Sequence, residues 1–105
     1  MAPVYLVTEV DVTDPDGYAK LFAPPAQITI RDGGGVPIAV GGTGGAGAKG
    51  ITPITGAPAP TRAVIHRWES LEQVTTWFNS PKYQELLRIG EKFATFRGYV
   101  IEGIE

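Results

Sequence analysis

The chain has no cysteine, one histidine, one methionine and no apolar run near the roughly 18 residues that read as a membrane span. Without cysteine there are no disulfides and no thiolate metal sites. A lone histidine leaves a metal centre short of its usual several ligands, so neither a metal nor a bound cofactor is expected. Charge of either sign is scarce in surplus. A formal net charge of −2 removes the electrostatic case for nucleic acid or an anionic membrane surface as partner. The first charges met are Glu9 and Asp11, before any basic residue, so no signal peptide is expected and a cytoplasmic location is the default. What is plentiful is glycine, 14 residues, and proline, 9, and these punctuate the chain. At 105 residues the expectation is a single domain, 1–105, with enough chain for one core.

The most informative stretch runs from Thr61 to Arg97. Ala63 to Trp68 is apolar and β-branched, too short for a helix, and follows Pro58 and Pro60, which predicts a strand. Ser70 with Gln73 three residues on is a capping box that opens a helix. Leu71, Val74 and Phe78 mark its apolar stripe. Ser80-Pro81 breaks and restarts it, Pro81 sitting where a missing N–H costs nothing. Tyr83, Leu86 and Leu87 continue the stripe to Gly90.

Upstream, Val4 to Val12 predicts a first strand, with Val4, Leu6 and Val10 on one side and Tyr5 and Val7 on the other. Asp14-Pro15 reads as an N-cap and first helical residue. Tyr18, Leu21 and Phe22 supply an apolar face, Pro24-Pro25 interrupts it, and a second helical piece runs to Arg31 before the glycines 33–35. Val36 to Val40 contains Pro37, which belongs on a sheet edge because it cannot serve a ladder. Residues 43–60 predict a long flexible loop with a short strand at Ile51 to Thr55. Tyr99 to Ile104 predicts the last strand.

The order β-α-β-β-α-β is the ferredoxin-like plan, an α+β sandwich with spatial strand order 4-1-3-2 and two kinked helices on one face. A monomer of this kind shows a polar second face. Here three strands are apolar on both parities, which predicts that a homodimer packs sheet to sheet.

With Tyr5, VDVTDPDGY (10–18), GGGVPIAVGG (33–42), RAVIHRWES (62–70), SPKYQ (80–84) and YVIEG (99–103), the chain resembles domain of unknown function 1330, within the dimeric α/β barrel superfamily. SPKYQ and the terminal EG are the more specific pieces. The resemblance implies a ferredoxin-like monomer and a homodimer. Its superfamily includes cofactor-independent monooxygenases, isomerases, dehydratases and some haem-binding enzymes, so chemistry follows only by analogy. Residues 43–60 are richer in Gly, Ala and Pro than in such relatives, and Gly90-Glu91 stands where they tend to carry arginine.

Three motifs are set aside. Gly42, Gly44 and Gly47 spell GxGxxG, but Gly50 and Pro53 forbid the helix that would meet a pyrophosphate. Lys49 is followed by glycine, not Ser or Thr. Asp14, Asp16 and Gly17 resemble part of a calcium loop whose first and last positions, Val12 and Ala23, lack a side-chain oxygen.

The candidate site is therefore built from scattered residues. His66 shares a strand face with Val64 and Trp68; it reads either as a partly buried histidine with one hydrogen bond or as a site residue, a general base or an axial ligand. Tyr83 and Arg97 join it as catalytic candidates, Arg97 as a bidentate carboxylate clamp. Tyr18, Trp68, Trp77 and Asn79 are substrate-binding candidates, although Trp68 and Trp77 serve equally well as core. Two functions stay open: a small cofactor-independent enzyme (isomerase, lyase or monooxygenase type) acting on an apolar or aromatic small molecule, and a non-catalytic dimer that binds a metabolite or plays a structural part.

Overall fold

The computed structural model of the protein describes residues 2–42 and 50–104. Strand β1 is Val4–Val12, β2 is Val36–Gly42, β3 is Arg62–Trp68 and β4 is Ala94–Glu102. They form one antiparallel sheet in the order β2-β3-β1-β4. This is the expected ferredoxin-like α+β architecture, and Pro37 lies on the edge strand as its missing donor requires.

The first helical unit is short α1 (Pro15–Gly17), a π-helical turn at Tyr18–Phe22, then α2 (Ala23–Gly33). Asp14 caps it, its carboxylate accepting from Gly17 N–H at 3.2 Å. The proline pair does not interrupt the helix. Pro24 and Pro25 have no N–H for a regular turn, and the turn before them widens so that the Ala23 N–H reaches the Tyr18 carbonyl. Gly34, at φ 106°, ends α2, and the N–H groups of Gly34 and Gly35 return to the Arg31 and Ile30 carbonyls.

The second unit is α3 (Leu71–Phe78) and α4 (Pro81–Gly90). Ser70 Oγ accepts from Gln73 N–H at 3.1 Å, and Ser80 Oγ accepts from Tyr83 N–H at 3.3 Å. The Gln73 side chain reaches one residue further back than a standard capping box, accepting from Glu69 N–H at 3.0 Å. On α3 the buried residues are Val74 and Trp77, whereas Leu71 and Phe78 are exposed. The buried stripe thus keeps Val74 of the expected one and takes Trp77 in place of Phe78, because the larger indole takes the inward position.

Two further expectations are corrected. Residues 50–60 contain no strand at Ile51 to Thr55, and the remainder of the loop, 43–49, lies outside the described residues. Strand β4 begins at Ala94, five residues before Tyr99, since pairing with β1 continues to Val12. Ile104 lies beyond it, fully exposed.

Register fixes the two faces. Val4, Leu6 and Val10 pair with Trp68, His66 and Arg62 of β3 and with Glu102, Val100 and Phe96 of β4. Opposed residues share a face, and this face carries the core of Val4, Leu6, Val10, Trp68, Val74 and Trp77 under the helices. The opposite face carries Tyr5, Val7, Ile65, Tyr99 and Ile101, and no element covers it among the described residues. Tyr99 and Ile101 are exposed there.

Candidate functional site

Three adjacent rows on the helical face of the sheet frame the site. One runs Pro37–His66–Leu6–Val100, the next Val40–Val64–Thr8–Gly98, and the third Gly42–Arg62–Val10–Phe96. The middle row carries only small side chains. Above it, the π turn and α2 present Ala23 and Ala26. Small residues above and below leave a space, and a cavity of about 480 Å³ opens there, within the usual range for small-molecule sites. Phe22, Trp77 and Phe96 give it aromatic walls.

The outer rows bring Arg62 and His66 to that cavity. They stand four residues apart on β3, about 13 Å along the strand, on the same face. His66 is 7% exposed, and its buried Nδ1 has no hydrogen-bond partner among the described residues. Burial, reinforced by the positive charge of Arg62, pushes its pKa down to about 4, so the imidazole is neutral at physiological pH.

Arg62 is 3% exposed. Its guanidinium carbon lies 5.8 Å from the centroid of the Tyr18 ring. Burial raises the Tyr18 pKa, and Arg62 opposes that rise through its charge and a side-chain hydrogen bond. Tyr83 is pushed up to about 12 by burial, then by Tyr18 and Glu91. Both phenols are therefore neutral hydrogen-bond donors.

Of the seven candidates, Tyr18, His66, Trp77 and Tyr83 line this one cavity. The Trp77 and Tyr83 rings stand 4.1 Å apart, centre to centre. Trp68 is fully buried behind Trp77, ring centres 5.3 Å apart, and forms a supporting layer, not the wall. Asn79 caps the end of α3 in an exposed position. Arg97 pairs with Glu9, on the opposite face of the sheet, where its guanidinium lies 5.7 Å from the Tyr99 ring. The sheet therefore separates Arg97 from His66. Arg62 is the residue that sequence reasoning missed. Its signal was present in part: it shares the parity of Val64, His66 and Trp68, and it is buried with them because β3 extends one residue further than the strand read from the sequence.

Other depressions border the described residues. One of about 610 Å³ lies on the β4 side of Trp77 and Tyr83, bordered by Leu71, Phe78 and Tyr99. An open groove beside α3 is bordered by exposed residues such as Asp32, Glu72 and Lys82 and floored by Thr29 and Trp77. Neither contains His66 or Arg62. Among the described residues no cluster of three or more His, Cys, Asp or Glu stands ready for a metal, and no helix is long and apolar enough to cross a membrane.

The architecture defines an α+β protein of ferredoxin-like fold with a cavity between its sheet and helices. The chain matches the family Domain of unknown function (DUF1330) over residues 3–104 and belongs to it. No curated protein matches it. Among solved structures, it is similar to a protein of unknown function from Rhodopseudomonas palustris, with TM-score 0.72 and 11% identity, covering 99% of this chain and 84% of that one. SnoaB, a cofactor-independent oxygenase from Streptomyces nogalater, gives TM-score 0.65 and 11% identity over 100% and 96% of the two chains. A dimeric protein of unknown function and ferredoxin-like fold from Bacteroides fragilis gives TM-score 0.56 and 13% identity, over 98% of each. At such identities the likeness establishes the fold.

Proposed function

We infer that the protein is a homodimeric enzyme that takes an apolar, aromatic small molecule into the cavity and acts on it by proton transfer, without a bound cofactor. One observation carries the reading: a neutral histidine, buried in the wall of an apolar cavity, with a ring nitrogen that no group among the described residues satisfies. A buried polar atom left this way calls for a ligand or water to complete it.

In this scheme His66 accepts a proton from an acidic O–H or C–H of the bound molecule. The Tyr83 hydroxyl, held protonated by burial, donates to the oxygen on which negative charge collects. Arg62 stabilises that charge through space, in surroundings of low dielectric where the interaction is strong. Tyr18 and Trp77 shape the wall, and Trp68 supports Trp77 from behind. Asn79 and Arg97 have no part in the cavity chemistry of one subunit. The similarity to SnoaB, a cofactor-independent oxygenase, supports a reaction that needs no bound cofactor.

The dimer is supported by the uncovered face of Tyr5, Val7, Ile65, Tyr99 and Ile101. A standard interface buries about 800 Å² on each partner, and a second copy about a two-fold axis supplies a matching surface. The Bacteroides fragilis neighbour is described as dimeric.

The test is oxygen uptake and product mass spectrometry over a panel of phenolic and enolisable aromatic compounds, with chelator present. Turnover by wild type that disappears in His66→Ala, with far-UV circular dichroism unchanged, is the expected result. Turnover that survives His66→Ala would overturn the catalytic assignment. Binding of the panel without any turnover would favour the second reading, a non-catalytic metabolite-binding dimer.

A further inference from the structure

We propose that the site takes an elongated molecule with an uncharged apolar far end. The reacting ring lies over Val64 beside His66, the far end lies over Gly98 in the chamber between β4 and the helices α3 and α4, and Gly98 sets the length admitted. This rests on reading the His66 cavity as a small-molecule site and specifies what that site selects.

The two chambers share a floor and a wall. The cavity of about 480 Å³ around His66 and the depression of about 610 Å³ on the β4 side are both bordered by Leu6, Thr8, Trp77, Tyr83 and Phe96. The row Val40–Val64–Thr8–Gly98 runs from the first into the second. Its side chains are small, whereas the flanking rows carry the longer ones of His66, Leu6, Arg62 and Phe96. The row is therefore a trough across all four strands, and with strands about 4.8 Å apart it is about 14 Å long. Exposure rises along it: Val64 is buried, Thr8 half-buried and Gly98 exposed. The trough thus opens at the β4 edge, and a molecule lying in it passes beneath Trp77 and Tyr83.

Gly98 is the telling residue. No contact among the described residues requires glycine there. A Cβ at this position would meet its nearest atoms, the Val7 carbonyl oxygen and Leu6 Cδ1, at 3.8 and 3.9 Å, which are ordinary contact distances. Its φ is not positive. Glycine inside a strand weakens it, and one use of it there is to let a ligand come close. At Gly98 the space left free is the floor of the second chamber.

The wall of that chamber gives the class of the far end. Among the described residues bordering it, Glu91 is the one charged side chain, and it is exposed. Leu71, Phe78 and Tyr99, at the rim, are large apolar side chains left exposed. Such a surface favours a neutral apolar group, which gains by covering it, and it holds no positive charge to seat an acid.

Two probes that differ in length test this: 2-naphthol and 6-phenyl-2-naphthol, each titrated with the protein at pH 7 and followed by the anisotropy of its own fluorescence. Wild type should bind the longer probe about tenfold or more tighter, the gain from burying one further ring. In Gly98→Val that advantage should fall to about threefold or less, while 2-naphthol binding is unchanged. Valine suits a strand better than glycine, so the melting temperature of Gly98→Val without ligand should match or exceed that of wild type, which separates a filled chamber from a damaged fold. Gly98→Ala fills less space and should remove part of the gain; it serves if Gly98→Val does not fold. A length preference that survives Gly98→Val overturns the chamber assignment. Weakening of both probes alike in a folded Gly98→Val would place the naphthol ring over Gly98 and overturn the arrangement. Wild type that binds the two probes equally, or only the shorter one, overturns the elongated ligand but leaves the His66 cavity reading standing. Failure of both probes to bind overturns both.

Discussion

The Trp77 indole donates a hydrogen bond of 3.2 Å to Thr29 Oγ1, which in turn donates to the Ala26 carbonyl at 2.7 Å. This couples α3 to α2 across 48 positions of sequence. Both residues are buried, so the bond is costly to leave half made. Thr29→Val keeps the shape and removes the acceptor, stranding the indole N–H; it should cost about 1–3 kcal/mol. Thr29→Ser keeps the hydroxyl and should cost under about 1 kcal/mol. Urea denaturation of the two variants side by side separates the hydrogen bond from the lost methyl group.

Gly90 lets α4 approach the π turn. A Cβ at this position would lie 2.5 Å from Cδ1 of Phe22. Phe22 is 5% exposed and packed against Tyr18 and Phe96, so it has nowhere to retreat. Alanine gains up to about 1 kcal/mol in helix propensity, but overpacking costs about 1–3 kcal/mol. Gly90→Ala should therefore lower the melting temperature and disturb the cavity wall at Phe22. A melting temperature equal to or above wild type would show that Phe22 moves more freely than its packing implies.

His66 makes stability depend on pH in a definite direction. Its folded pKa is about 4, against an ordinary value near 6.5 for the unfolded chain. The unfolded state therefore binds the extra proton first, and stability falls as pH drops from about 6.5 to about 4, then levels. The full shift corresponds to a loss on the order of 3 kcal/mol. His66→Gln should flatten that part of the profile. Activity that depends on the neutral imidazole should persist well below pH 6.5 and decline only toward pH 4 in the free enzyme.

The open sheet face makes its own prediction about assembly. Tyr5 and Leu6 are neighbours on β1 with opposite directions: Leu6 is buried under the helices, and Tyr5 lies on the uncovered side. Leu6→Glu should unfold the protein, because an unpaired charge in the core is severely penalised. Tyr5→Glu should leave the fold intact and yield a monomer by sedimentation, with a melt that no longer depends on concentration. A wild-type protein that sediments as a stable monomer at micromolar concentration would end the dimer reading.

Much of this was legible in local sequence because local rules govern it. Caps at Asp14, Ser70 and Ser80, the edge position of Pro37 and the alternation of β1 and β3 depend on neighbours within a few residues. They gave the element order and hence the ferredoxin-like plan. The helical continuity through Pro24-Pro25 was hidden because a π turn, not a break, accommodates the missing donors. The inward turn of Trp77 in place of Phe78 was hidden because two apolar residues in succession leave the choice to packing.

The site divides the same way. Residue types in the sequence sufficed to single out His66, whereas Arg62 stands one residue before the strand read from the sequence and joins its face only because β3 extends to it. Only the tertiary structure decided that Arg97 lies across the sheet from His66, since pairing register, not proximity in the chain, sets which side of β4 a residue occupies. Only it decided that small side chains at Val40, Val64, Thr8 and Gly98 would fall in one row, because they come from four separate strands. The cavity is a property of that row and of the helices laid over it.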